Sequence, residues 1–380
     1  MTERHLFIFI DSMGWEILKG QSFLDDLIQA KVPLKTPLGY SSAAVPTILS
    51  GRMPSQHGHW SFYFYSPQTS PFAWLRPLAL IPAFIRERGR VRGVLSKVAN
   101  KVLNFSGYFQ LYNTPFQYIH LFDYCEKKDI FKSGGFNGGE SIFDILKARK
   151  QSYFVSDWRQ TDEVNLSETK KAFLNAEISF GFLYLTELDA LIHRVGTKHI
   201  HVKEKIETYE KKIENLYKEI SKKNKLNLHI FSDHGQADVH TTIDIIRQIE
   251  TLGLKFGKDY VAYYDSTMAR FWFLKPISEM PIRNALGQIH EGEILVDSEL
   301  KKLGAFWHDH RFGDLVFLMK PGVLIVPSFM GKTSMAAMHG YHPDDPSADA
   351  VYMSTQIPSL TPEHIADIFS LMVKSLSMTI

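Results

Sequence analysis

Five apolar residues, Leu6-Phe7-Ile8-Phe9-Ile10, stop abruptly at Asp11-Ser12-Met13-Gly14, and a helix-like spacing follows over 15–28. Aromatic and β-branched residues ended by turn formers read as a strand, so the chain begins strand, loop, helix. The unit recurs. A strand over 152–156 follows a helix around Ile142–Ala148, one over 182–185 follows a helix around 170–175, and one over 226–231 follows a charged helix over 202–222. Such alternation predicts an α/β fold, a mostly parallel sheet covered by helices on both faces. Ligands of such sheets gather at the carboxyl ends of the strands. Three of the four runs deliver acids there: Asp11, then Glu187 and Asp189, then Asp233.

Two stretches interrupt the rhythm and read as inserted cap segments, about 60–133 and 241–331, on a single catalytic domain whose core spans about 1–59, 134–240 and 332–380. The first is aromatic (Trp60, Phe62, Tyr63, Phe64, Tyr65, Phe72, Trp74) and then basic (Arg86, Arg88, Arg90, Arg92, Lys97, Lys101). That combination fits a nucleotide base, a lipid headgroup or a membrane surface, or simply a cap packed on the core beside a solvated basic helix. The second mixes helix with strands at 261–264, 269–274 and Leu315–Met319. A strand at Ala350–Ser354 and a helix over 362–375, with Pro362 in its first turn, return to the core. The 43 basic and 41 acidic side chains leave a net charge of +2, so no global field marks a nucleic-acid binder and no sequence-specific nucleic-acid binding is expected. Cys125 is the lone cysteine; together with an N-terminus unlike a signal peptide it points to a cytoplasmic protein.

Chemistry-bearing residues concentrate in a few segments. They are Asp11-Ser12, then Ser41 through Gly51 with Pro54-Ser55-Gln56-His57-Gly58, Glu187-Leu188-Asp189 with His193, Ser232-Asp233-His234-Gly235, and Met338-His339-Gly340-Tyr341-His342. Mixed carboxylate and imidazole donors suit divalent cations, zinc or manganese as the harder substitute. Six donors in two groups of three would leave each site open for substrate. A serine hydroxyl becomes a competent nucleophile beside such an ion, and a helix N-terminus adds N–H donors facing an anion. Ser41 or Ser42 could occupy that place. Thr47, Ser50, His57 and His240 read as structural groups.

In order and spacing these segments resemble the alkaline phosphatase superfamily, closest to its type I phosphodiesterase and nucleotide pyrophosphatase branch. The resemblance implies a metal-dependent hydrolase of phosphate esters, a diester or pyrophosphate rather than a monoester, acting on a small-molecule phosphate ester or related anion through two divalent ions. It implies Asp189, His193 and His339 on one ion and Asp11, Asp233 and His234 on the other. The nucleophile of the family lies ten residues before the glycine of a Ser-Gly pair, which from Gly51 gives Ser41, with Ser42 the alternative. The His-Gly-Tyr match favours His339 over His342. Where the family carries an Asn three residues past the nucleophile this chain has Ala44, leaving Arg52, Arg159 or a cap residue to stabilise charge. The sulfatase pattern is missing around Ser41. Two other readings accompany this one: a phosphotransferase or mutase on the same fold, and a non-catalytic anion- or membrane-binding member.

Overall fold

The computed structural model describes residues 3–377. Its central sheet has six strands in the order Ala30–Leu34, Ala350–Ser354, Lys225–Phe231, Glu3–Ile10, Phe180–Leu185, Tyr153–Val155. Ala350–Ser354 runs against the other five, which are parallel to one another. The first strand sits at the centre and its side chains alternate by face. Leu6, Ile8 and Ile10 join an aliphatic layer with Leu183, Leu185, Leu228 and Ile230. Phe7 and Phe9 join an aromatic-rich layer with Phe180, Phe182 and Phe231. A helix layer covers each face, as the unbroken apolar runs demand, because either face left wet would expose large side chains worth about 1.5–3 kcal/mol each in burial. Helices Asp162–Asn175, Glu187–Val195 and Ile200–Ser221 lie on the aliphatic side; Ser41–Ser50, Ile142–Ala148 and Asp367–Ser377 lie on the other. The long helix Ile200–Ser221 turns in Val202, Ile206, Tyr209, Ile213, Leu216 and Ile220, a spacing of three and four that leaves its charges outside.

Two helices differ from the sequence reading. The helix expected over 15–28 is only Trp15–Leu18, because Gly20 and then Leu24 adopt positive φ of 75° and 55° and convert the rest to turns. The last helix starts at Asp367 rather than near Pro362. The residues before it are extended beside Lys35, whose N–H donates to Glu363 O at 2.8 Å and whose carbonyl accepts from Ile365 N at 2.9 Å.

Residues from both interrupting stretches build one further core. Tyr63, Phe72, Phe116, Phe122 and Tyr124 pack with Val261, Tyr263, Phe271, Phe317 and Leu324. A four-stranded antiparallel sheet frames this core, in the order Tyr260–Tyr264, Met268–Phe273, Leu315–Met319, Gly292–Leu295. Trp60, Tyr63 and Phe72 are therefore interior side chains, and of the seven aromatic residues between Trp60 and Trp74 only Trp74 is exposed.

Candidate active site

Three neighbouring parallel strands end side by side and set the positions of five polar groups. Asp11 follows Glu3–Ile10, Asp233 and His234 follow Lys225–Phe231, and Asp189 and His193 stand on helix Glu187–Val195 just past Phe180–Leu185. The loops carrying Asp11 and Asp233 cross at two glycines. A Cβ on Gly14 would sit 2.4 Å from the Cα of Gly235, so neither loop tolerates a side chain at the crossing. His339 comes from far along the chain. Its strand, Ala337–Met338, pairs antiparallel with Ala237–Asp238, and His193 anchors it by accepting from Ala336 N at 2.9 Å and by placing Nδ1 2.8 Å from Ala337 O.

Two triads result, Asp189 with His193 and His339, and Asp11 with Asp233 and His234, the candidate ligand atoms of each lying within 4.8 Å of one another. The remaining candidates separate by direction. Ser41 opens helix Ser41–Ser50 and places Oγ 2.9 Å from His234 Nε2, whereas Ser42 turns away to donate to Trp60 O at 2.7 Å. His342 faces Glu299 at 3.4 Å and Asp344 at 3.7 Å, outside both triads. His57 is buried, bonded to Thr47 Oγ1 and to its own loop.

Sequence reasoning missed the groups that tie the triads together. Ser12, fully buried with φ of 64°, donates from Oγ to Asp189 Oδ1 at 2.8 Å, lies 3.2 Å from His234 Nδ1, and donates its N–H to Asp233 Oδ1 at 3.2 Å. Gln236 donates to Ser12 Oγ at 2.9 Å and to Asp189 Oδ1 at 2.8 Å. Tyr184, stacked on Phe9 at 4.3 Å, donates its hydroxyl to Asp11 Oδ2. Serine, glutamine and tyrosine carry no ligand signature of their own. Ser12, next to Asp11, and Gln236, two residues past His234, lay where a motif could have pointed, whereas Tyr184 did not.

The electrostatics ask for positive charge. Burial, then Asp233 and Asp189, push the Asp11 carboxyl well above the usual carboxylate range. Asp189 goes the other way: burial opposes its ionisation, but His193, His339 and His234 hold it below that range. Asp233 Oδ2 meets His234 Nε2 at 3.0 Å within its own triad, whereas Asp11 Oδ1 and His339 Nδ1 are buried without a hydrogen-bond partner. Such orphaned acceptors are costly in a folded interior unless an ion completes them. Nδ1 of His193 and of His234 is engaged by a backbone carbonyl, at 2.8 Å to Ala337 and 3.1 Å to Gly235, which directs each Nε2 into its triad. The donor sets therefore fit two divalent cations.

A cavity of about 510 Å³ reaches both triads, touching Asp11, Ser41, Asp189, His193 and His339, and is also walled by Phe62, Tyr108, Tyr112 and Trp158. Phe62 and Tyr108 rings lie 5.2 Å apart and Tyr108 and Trp158 5.9 Å. Among the described residues no lysine or arginine lines it. Arg159, a candidate charge stabiliser, is instead held by Asp129 at 3.3 Å and Asp157 at 3.2 Å, and Arg52 lies against Gly139. Glu126, also in the wall, is pushed up to about 8 by burial and is thus neutral at pH 7.

A parallel sheet between helix layers with these triads at the strand ends defines an alkaline phosphatase-like protein. Residues 5–342 match the family described as type I phosphodiesterase / nucleotide pyrophosphatase, and the chain belongs to it. Solved structures of murine and human ectonucleotide pyrophosphatase / phosphodiesterase 5 share the fold. The murine protein superposes with a TM-score of 0.68 at 16% identity, the human one with 0.71 at 14%, and each comparison covers 99% of this chain and 95% of the other. An inactive variant of the murine protein in complex with AMP superposes equally, at 0.68. No curated protein sequence matches this chain.

Proposed function

We propose that the chain is a metal-dependent phosphodiesterase in which Asp189, His193 and His339 hold one divalent cation, Asp11, Asp233 and His234 hold the other, and Ser41 is the nucleophile. Zinc fits the mixed carboxylate and imidazole donors, with manganese as a substitute. The observation that carries this reading is the gathering of six donors from distant segments into two triads with Ser41 Oγ 2.9 Å from one of them. When bound, the cations supply Lewis-acid stabilisation of the serine alkoxide and of the departing oxygen.

The chain's own residues do the rest. Tyr40 O takes the N–H groups of Ala43 and Ala44 at 2.7 and 3.0 Å, so those of Ser41 and Ser42 at the start of helix Ser41–Ser50 remain to meet the anion in place of the amide that Ala44 cannot provide. Ser41 Oγ bonds to phosphorus as the bond from phosphorus to the first alcohol breaks, and that alcohol leaves with a proton. A water then attacks the phosphoserine diester, Ser41 recovers its proton, and a monoester departs. A cavity without lysine or arginine but with an aromatic wall suits a diester, which carries one negative charge and a second organic group, better than a dianionic monoester. The AMP held by the murine relative is a phosphate monoester, the class of molecule that departs in the last step, and supports binding of a small phosphate ester.

The test is a panel of aryl phosphodiesters, monoesters and nucleotide pyrophosphates assayed after chelation and after return of zinc or manganese. Ser41→Ala is expected to lower kcat by about three orders of magnitude or more while Ser42→Ala stays active. Equal activity in the two variants, or no metal uptake, would remove the reading.

A further inference from the structure

Several exposed large apolar side chains fall within one short stretch of the chain, over 80–102. Leu80 and Phe84 are 88% and 69% exposed, and Ile85, Val94, Val98 and Val102, which follow in the same stretch, are exposed too. Arg86 donates to Ala79 O and to Ile81 O at 3.1 Å, which folds this segment back and leaves Leu80 and Phe84 standing out. The three valines recur every four residues on helix Gly89–Leu103 and form one stripe. Arg90, Lys97 and Lys101 are exposed alongside it. The inner face of that helix is fastened to the protein: Arg92 donates to Thr114 O at 2.9 Å and lies 4.0 Å over the Phe116 ring, and Ser96 Oγ accepts from Leu111 N at 3.0 Å.

The charge beside the stripe has one sign. From Phe72 to Leu121 the only acid is Glu87, and Arg86 and Lys332 occupy it. Among the described residues no ion pair holds Arg88, Arg90, Lys97 or Lys101. A second copy docking here by two-fold symmetry would bring these cations against themselves, because an isologous interface sets the same patch on both sides. No helix among the described residues is long and apolar enough to cross a membrane.

We propose that this face docks peripherally on an anionic lipid surface, with Leu80, Phe84 and the valine stripe entering the boundary between headgroups and acyl chains and Arg88, Arg90, Lys97 and Lys101 meeting lipid phosphates. Docking brings the cavity close to that surface. The segment bonded to Ser96 carries Tyr108 and Tyr112 of the cavity wall, and Lys332, paired with Glu87, follows Met330 and Gly331 of the same wall.

The test is co-sedimentation of the full chain with vesicles of phosphatidylcholine alone or mixed with phosphatidylglycerol, and it needs no enzymatic activity. Binding to the mixed vesicles should exceed that to phosphatidylcholine by at least about tenfold and weaken in high salt. It should fall by a similar factor in Val94→Gln/Val98→Gln/Val102→Gln and in Lys97→Glu/Lys101→Glu, each with the thermal midpoint of the parent. Absence of enrichment on anionic vesicles overturns the proposal, as does enrichment that survives both variants. A wild-type dimer in light scattering that the variants convert to monomer assigns the face to a second copy and overturns it equally.

Discussion

The Asp11 carboxyl shows how much one residue depends on its supports. Tyr184 fixes Oδ2, which leaves Oδ1 as the free acceptor turned into its triad. Removing that hydroxyl frees the carboxylate to rotate, and groups that orient a ligand typically account for about 10–100-fold in metal affinity. Tyr184→Phe should therefore bind zinc about 10–100-fold more weakly in competition with a chelator, at an unchanged thermal midpoint without metal; unchanged affinity would mean that Tyr184 does not orient Asp11. Ser12 acts more widely, since it touches Asp189, Asp233 and His234 together. Ser12→Ala should weaken both sites in the same titration, whereas loss at one site alone would show the triads to be independent. The six acids and imidazoles could be found in the sequence because their types and spacings carry the chemistry. Ser12 and Gln236 lie beside these residues in the sequence, but their role and that of Tyr184 could not be read there, because it lies in direction, and direction depends on a left-handed residue and on strand neighbours that no local pattern specifies.

At the scale of elements, the site exists because two loops approach more closely than side chains permit. Gly14 and Gly235 meet there, and Gly235 is pressed from its other side by the Ser347 carbonyl, 2.4 Å from where its Cβ would stand. Gly14→Ala must push the Asp11 loop from the Asp233 loop. The expected cost is about 1–3 kcal/mol, as for overpacking of other tight sites, together with weaker metal binding. Denaturant midpoints and the chelator titration check both, and a variant with parental stability and affinity would show that the crossing can relax. Element types could be read from apolar periodicity, which survives because the central strands are buried on both faces. Boundaries were less legible. The 15–28 segment kept helical spacing although Gly20 already offered a stop, and the approach to Asp367 was extended by pairing with Lys35, a partner more than three hundred residues away in the chain. That the two interrupting stretches share one core was unreadable for the same reason, since it rests wholly on long-range contacts.

For the whole molecule, two histidines in the middle of the central sheet set an acid limit. His5 and His229 lie in adjacent central strands with rings 5.5 Å apart, and His229 stacks on Phe7 at 4.3 Å. Burial lowers His5 to about 4 and His229 to about 3, so both are neutral in the fold at pH 7. An unfolded histidine titrates near ~6.5. Their contribution is thus fully present above that value and is lost as pH falls from ~6.5 toward the folded values, because the unfolded chain takes up protons that the fold refuses. At about 1.4 kcal/mol per unit of difference, the pair, whose rings touch and titrate together, removes several kcal/mol across that window, on the order of 3 for His5 and 5 for His229 taken singly. The denaturant midpoint followed by circular dichroism should fall steeply between ~pH 6.5 and ~pH 4. His5→Gln/His229→Gln, which keeps a polar partner for Tyr352 but removes both titrations, should flatten that branch while lowering stability at pH 7. A double variant with the parental acid slope would place the limit elsewhere, in the triads themselves.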